Sequence, residues 1–340
     1  QRIRIMKKFF ASLVMLLSLS AANVFAQSSL IATLSHEGEI TAFYGANALK
    51  EAHEAAAHGD AITLSSGTFN ATDITKAITL RGAGMQVDTI YNTLPTIILG
   101  DFTINIAEDI TQKLVIEGIY SDNKITIDGK LLNPRFFRNR FNEIATATSC
   151  SGIIDAYVLH CKITQTFYNA PSESHISFVG SYVHHPQVYN GSRMSFINCV
   201  IDYIHCAHLE KCSFSNSILV GDGNFNYSWL EESVTAYNCI AINCFRTVFD
   251  KISNTTNVES SFDELFKDFT GTYNDNITFE LTDEAKAKFL GTDDTQVGIY
   301  GGNFPYDPTT TNPHITKCNV AAKSTADGKL SVDIEVAGVE

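Results

Sequence analysis

The chain has 340 residues, with 24 basic and 37 acidic side chains, a formal charge of −13 and 44% hydrophobic residues. That length is ample for one long core. The acidic balance repels phosphate backbones and argues against nucleic acid as a partner.

The first 26 residues read as a targeting segment. Arg2, Arg4, Lys7 and Lys8 precede an apolar run from Phe9 to Leu19, and Ala21 to Ala26 supply a small-residue cleavage site. The run is too short for a spanning helix, so no transmembrane segment is expected in the mature chain. The first cysteine is Cys150, so a lipid anchor at the cleavage site is not expected. The protein is expected to be exported, to the periplasm, the cell surface or beyond. Without the segment, 20 basic residues face 37 acidic ones, a formal charge of −17. Electrostatic capture of a polyanionic glycan would then need a local basic patch or a bridging metal.

Residues 27–60 read as two short strands followed by an amphipathic capping helix. Ala48, Leu49, Ala52 and Ala56 share one side of that helix, and Gly59 closes it. From residue 61 to 304 the chain repeats. Val158-Leu-His-Cys161, Phe178-Val-Gly-Ser181, Phe196-Ile-Asn-Cys199, Phe214-Ser-Asn-Ser217 and Ala236-Tyr-Asn-Cys239 recur in steps of 20, 18, 18 and 22 residues. A period near twenty marks a solenoid. Each copy is one coil of a wound parallel sheet. Val158, Phe178, Phe196, Phe214 and Ala236 form one inward column; Ile163, Val183, Ile201, Leu219 and Ala241 form another. The polar pair between them suits a tight turn, because Asn tolerates left-handed backbone angles, and stacked Asn side chains can bond one another. Gly82, Gly100 and Gly118 keep an 18-residue beat farther back, and the winding is expected to break between about Lys130 and Ala145.

The entry and exit of this repeat are similar to those of a known family. Ala48-Leu49, Ala52, Gly59-Asp60-Ala61-Ile62-Thr63-Leu64, Gly67-Thr68-Phe69 and Ile78 to Gly82 resemble the entry cap of the right-handed parallel β-helix superfamily that includes pectate lyases. Phe262 to Phe269, Ile277 to Leu281 and Gln296 to Gly302 resemble the closing coils of secreted bacterial β-helix proteins. The resemblance implies an all-β fold, a right-handed single-stranded parallel β-helix. It specifies no activity.

Residues 305–340 change character. A Pro- and Thr-rich linker leads to two strand-like runs, and Asp327-Gly328 marks a turn between them. This short β tail is expected to pack as a cap on the last coils or along a flank, or to form a small attachment module. Cys161, Cys199 and Cys239 share a column with a Ser coil between each pair, too far apart to bridge, so they are expected as thiols. Cys206 with Cys212, and Cys239 with Cys244, stay open as local bridges. Zinc-type spacing is lacking, and no metal site is assigned. Asp222-Gly-Asn224 reads as a turn. Calcium stays open as a cofactor, with no motif for it.

The motifs of inverting polygalacturonase-like hydrolases do not assemble here: Asp293-Asp294 lies in the closing segment, and the others are absent. The Arg-x-Pro-x-x-Arg motif of one pectate lyase family is absent too, and tailspike-like hydrolases stay open. The surface argument remains. Residues one and three past the polar pair point outward, which sets Lys162, His184 and Asp202 on successive coils as candidate catalytic groups. Tyr182, His185, Tyr203, His205 and His208 lie close by as candidate binding groups. Arg135, Arg138 and Arg140, in the expected interruption, would overhang that face and bind an acidic sugar. Acid, base and aromatic platforms suit glycan binding or cleavage; solvated polar side chains are the competing reading. The sequence thus suggests an exported protein that engages a polysaccharide or cell-surface glycan, mainly by binding. A lyase or hydrolase on an acidic glycan, and a surface adhesin or scaffold, are the alternatives.

Overall fold

A computed structural model describes residues 30–89, 93–107, 110–169, 174–188, 192–204, 211–221, 235–243, 258–320, 328–329 and 331–337. The chain is a parallel β-solenoid with two long sheets. Sheet A stacks Ala61–Leu64, Thr79–Arg81, Val115–Glu117, Arg135–Phe137, Ala156–Leu159, His175–Val179, Arg193–Ile197, Cys212–Ser215 and Thr235–Tyr237. Sheet B runs from Gly67–Asn70 through Ile119–Leu132, Arg140–Thr146, Lys162–Asn169, Tyr182–His184 and Val200–Ile204 to Val258–Glu259. At the N-terminal end the direction reverses. Ile31–His36 pairs antiparallel with Ala61–Leu64 and with Glu39–Tyr44, and helix α1 (Ala48–Ala55) buries Ala48, Leu49 and Ala52.

Both expected inward columns are in register. Val158, Phe178, Phe196, Phe214 and Ala236 pair in succession along sheet A. Ile163, Val183, Ile201, Leu219 and Ala241 do so along sheet B. Phe178 and Phe196 stack with ring centroids 4.9 Å apart, and Phe196 and Phe214 at 5.1 Å. All ten residues are buried, and every one but Ala236 and Ala241 is large enough to add roughly 1.5–3 kcal/mol of apolar burial.

The corner between the sheets is left-handed, as expected of Asn. Asn198, Asn216 and Asn238 have φ of 52°, 50° and 54°. The next position carries a ladder of alternating Cys and Ser. Ser181 Oγ accepts the Cys161 N–H at 3.0 Å, and Ser217 Oγ accepts the Cys199 N–H at 3.0 Å. Cys161 and Cys199 are buried free thiols, and burial pushes both up to about 12. The ladder extends one coil earlier to Asn139, which is wholly buried. Its Nδ2 donates to Ile116 O at 2.8 Å and its Oδ1 accepts the Ile119 N–H at 3.0 Å.

Three expectations need correction. The winding does not break near residue 135, because Arg135–Phe137 and Arg140–Thr146 each pair on both sides within their sheets. Arg135, Arg138 and Arg140 therefore belong to a full coil and not to an overhanging loop. Gly100 is out of phase with Gly82 and Gly118: Arg81 pairs directly with Glu117 in sheet A, whereas Gly100 follows a sheet B strand. The segment from Ser260 onward adds no coils. It carries two short helices, α2 (Phe262–Leu265) and α3 (Asp283–Lys288), and lies over the outer face of sheet B. Residues 305–313 run along a flank toward the first coils, where Asn312 Nδ2 donates to Gly82 O at 2.6 Å. The hairpin of His314–Val320 and Val332–Ala337 then forms a separate two-stranded sheet.

This covering segment descends the corner like a strap. Asn238 Nδ2 donates to Leu290 O at 2.6 Å, and Asn216 Oδ1 accepts the Thr292 N–H at 3.1 Å. His160 Nε2 bonds Phe304 O at 3.0 Å, and Thr311 Oγ1 donates to Glu117 Oε2 at 2.7 Å. The corner side chains thus serve mainly the strap. Along the described corner, one direct Asn–Asn bond forms, from Asn238 Nδ2 to Asn216 Oδ1 at 3.4 Å.

Candidate functional site

Outward positions of sheet B are in the expected register. Tyr120, Arg140, Lys162, Tyr182, Val200, Ile218 and Ile240 follow one another strand by strand. Outward does not mean solvated, because Tyr182, Val200, Ile218 and Ile240 form a second core with Phe269, Phe279, Val297 and Ile299 of the covering segment. Where that core ends, at the earlier coils, the two layers part. They leave a cleft of about 490 Å³. Tyr120, Arg140 and Lys162 line it from the coils, and Tyr273, Asp275, Tyr300 and Tyr306 from the cover.

Lys162 is the notable group. It is 5% exposed. Its Nζ donates to Ile277 O at 3.2 Å and lies 6.0 and 5.9 Å from the ring centres of Phe279 and Tyr306. It makes no ion pair among the described residues. Burial pushes its amine down to about 8, against the pull of Asp275 and Asp268. Beside it, the Tyr306 hydroxyl is buried with no hydrogen-bond partner, and burial holds that phenol well above its ordinary range.

Arg140 is differently placed. Its Nε donates to Asp275 Oδ1 at 3.1 Å, a second nitrogen reaches Asp122, and its guanidinium lies 4.5 Å over the Tyr120 ring. Burial opposes its charge, but Asp275, Tyr120 and Asp122 outweigh that and raise its pKa. Asp275 also accepts the Tyr273 hydroxyl at 2.8 Å. Arg140 is therefore neutralised in place, and Lys162 carries the uncompensated cation of the cleft.

The other sequence candidates lie apart from the cleft lining. His184 Nδ1 donates to Asp202 Oδ2 at 3.2 Å, and the same oxygen accepts the Tyr182 hydroxyl at 2.9 Å. Asp202 Oδ1 takes the Tyr203 N–H at 2.8 Å. A β-bulge falls here, between Ile201 and Ile204. Tyr203 is 42% exposed, stacks on His184 at 5.5 Å and meets the His185 edge at 5.0 Å. His184 and Asp202 are thus together, while Lys162 bonds neither of them and turns to the covering segment. Tyr182 is wholly buried, its ring stacked on Tyr273 and Phe279. Arg135 donates to Asp155 O at 2.7 Å on sheet A, and Arg138, at the corner, pairs with Glu117 at 3.3 Å. His205 and His208 lie outside the described residues, as do Cys206, Asp222 and Cys244.

Tyr120, Tyr273, Asp275, Tyr300 and Tyr306 escaped the sequence reading. Tyr120 had a signal: it sits two steps before Lys162 in the outward column, hidden by the supposed break. The apolar outward residues Val200, Ile218 and Ile240 were a signal too, since a solvated face does not call for them. Nothing local marks the four cover residues.

No protein-family model matches the chain, and searches of curated proteins and of solved structures return no match. No described helix is long and apolar enough to cross a membrane. Among the described residues, no group of three or more His, Cys, Asp or Glu could hold a metal ion. What the cleft offers chemically is one buried ammonium, an unengaged phenol and aromatic walls. Those groups suit an anionic, ring-shaped ligand.

Proposed function

We propose that the protein is exported and binds a polysaccharide, holding an anionic sugar unit in the cleft between sheet B and the covering segment. The observation that carries this reading is the Lys162 ammonium, buried against aromatic rings with a single carbonyl for company. An ammonium without a counter-ion is costly to bury. A ligand carboxylate or sulfate would offset that cost, and the Tyr306 hydroxyl stands ready to donate to it. Tyr120 and Tyr300 supply faces for a sugar ring to stack on. The cation also meets the objection raised by the acidic surface, since it is local and desolvated.

The test is a binding screen of the mature chain against acidic and neutral glycans, with Lys162→Met in parallel. Retention of an acidic glycan that Lys162→Met abolishes supports the reading. Equal retention by both proteins, or no retention by either, overturns it.

A second reading rests on the same amine. With its pKa near 8, Lys162 is partly neutral at neutral pH and able to accept a proton, as a lyase base does. New unsaturated products absorbing in the ultraviolet would establish that activity in the same screen. Retention without turnover favours binding.

A further inference from the structure

A second cavity, of about 830 Å³, lies beside the cleft. The two share Gln86, Val87, Thr89 and Pro308 in their linings, so they are lobes of one groove and not separate sites. They are also built alike. In each lobe the floor is the outer face of the coils and a wall is the strap. In the second lobe the floor is a polar row set by strand register: Thr33 pairs with Thr63, and Thr63 with Arg81. The wall is formed by Thr309, Thr310 and Asn312. At the neck, Val87 is 49% exposed, an apolar surface between two polar lobes.

We infer that the second lobe is a further subsite of the same groove, so that the ligand is an extended oligomer of several units and not a single sugar. The inference rests on the glycan-binding reading of the first lobe. Its chemistry is that of a neutral, polyhydroxylated unit. Thr hydroxyls both donate and accept, as sugar hydroxyls do. Arg81 adds directional donors: its side chain is 41% exposed and lines the lobe, while its Nε is turned to the Glu117 carboxylate at 3.6 Å. That carboxylate is held by Arg138 and Thr311 as well, so the strap wall and the Arg81 floor are tied through one group. The two lobes therefore differ in kind. The first selects a charged unit through Lys162, and the second adds affinity through hydroxyl contacts on the neighbouring units.

Length dependence is the measurement that separates this from a one-sugar pocket. The probes are length-sorted hyaluronan and unsulfated chondroitin series, which alternate acidic and neutral units, with xylo-oligomers as the neutral control, titrated calorimetrically against the mature chain. Affinity for the series that binds should rise about tenfold or more between the shortest and the six-unit oligomers, as a second linked contact is filled. Thr63→Val and Thr33→Val keep the β-branched shape of their strands, and both residues line the second lobe alone. Each should remove the gain for long oligomers and leave the shortest ligand unaffected. Affinity that is flat with length, or unchanged in both variants, overturns the second subsite while the first stands. Binding by none of the series at any length takes down the glycan reading and this inference with it.

Discussion

Arg140 Nε and Asp275 Oδ1 lie 3.1 Å apart across 135 residues of chain, the first on a middle coil and the second on the segment that covers it. This bond ties the two walls of the cleft together, and Asp275 spreads it to Tyr273. Arg140 is mostly buried, with 10% of its side chain exposed, whereas Asp275 is 51% exposed. Asp275→Ala would leave the guanidinium with Asp122 as its remaining carboxylate. Solvent screening on the Asp275 side limits the expected cost to about 1 kcal/mol. Urea unfolding should show that small loss, and glycan affinity should fall further than stability does because the cover wall loosens.

Lys162→Met should stabilise the protein at neutral pH while abolishing binding of an acidic glycan. The native amine titrates near 8, against 10.5 ordinarily. Between those values the unfolded chain holds a proton that the native one has released, so the lysine's cost to stability shrinks as pH rises from about 8 to 10.5. Below about 8 the full cost of the buried charge is present. The melting-temperature advantage of Lys162→Met should therefore be greatest at pH 6 to 7 and fade toward pH 10. An advantage that does not change with pH would mean the amine is not desolvated. Binding of an acidic glycan should weaken above pH 8 as the ammonium is lost.

Ser217→Ala removes the acceptor of the Cys199 N–H, at 3.0 Å inside a fully buried ladder. It also strips Ser215 O of a donor at 2.8 Å. Leaving a buried amide unsatisfied costs about 1–3 kcal/mol. Chemical denaturation should report a loss in that range. Asn139→Leu, which orphans the Ile119 N–H and the Ile116 carbonyl together, should cost more than Ser217→Ala by the same measurement.

Glu117→Gln tests the strap. Glu117 is 2% exposed and gathers Arg81, Arg138 and the Thr311 N–H and hydroxyl. The amide keeps one acceptor oxygen but loses the charge that holds two guanidinium groups. Hydrogen exchange should quicken at Thr309 to Asn312, while the Phe178, Phe196 and Phe214 coils keep their protection. Equal loosening of those coils would show that the strap and the solenoid open as one unit.

The winding itself was legible in the sequence because its cause is local and periodic. An Asn-type corner held at positive φ sets the phase of each coil, and side chains in a strand alternate faces with period two. Phe178 over Phe196 and Ile163 beside Val183 follow from that phase alone. One coil was lost, where the corner residue is Arg138, which is also left-handed here, at φ of 53°, but does not spell the Asn phrase.

The site was not legible, because it is made by two parts of the chain that no period relates. Strand alternation could place Lys162 outward, yet what lies over an outward side chain depends on a segment more than a hundred residues later. Ile277, Phe279 and Tyr306 cover Lys162 because Val200, Ile218 and Ile240 offer them an apolar face to bury and the corner side chains offer the strap its hydrogen bonds. The repeat decided which residues point away from the coils. Long-range burial of the second core alone decided that one of them, a lysine, would face a cleft instead of water.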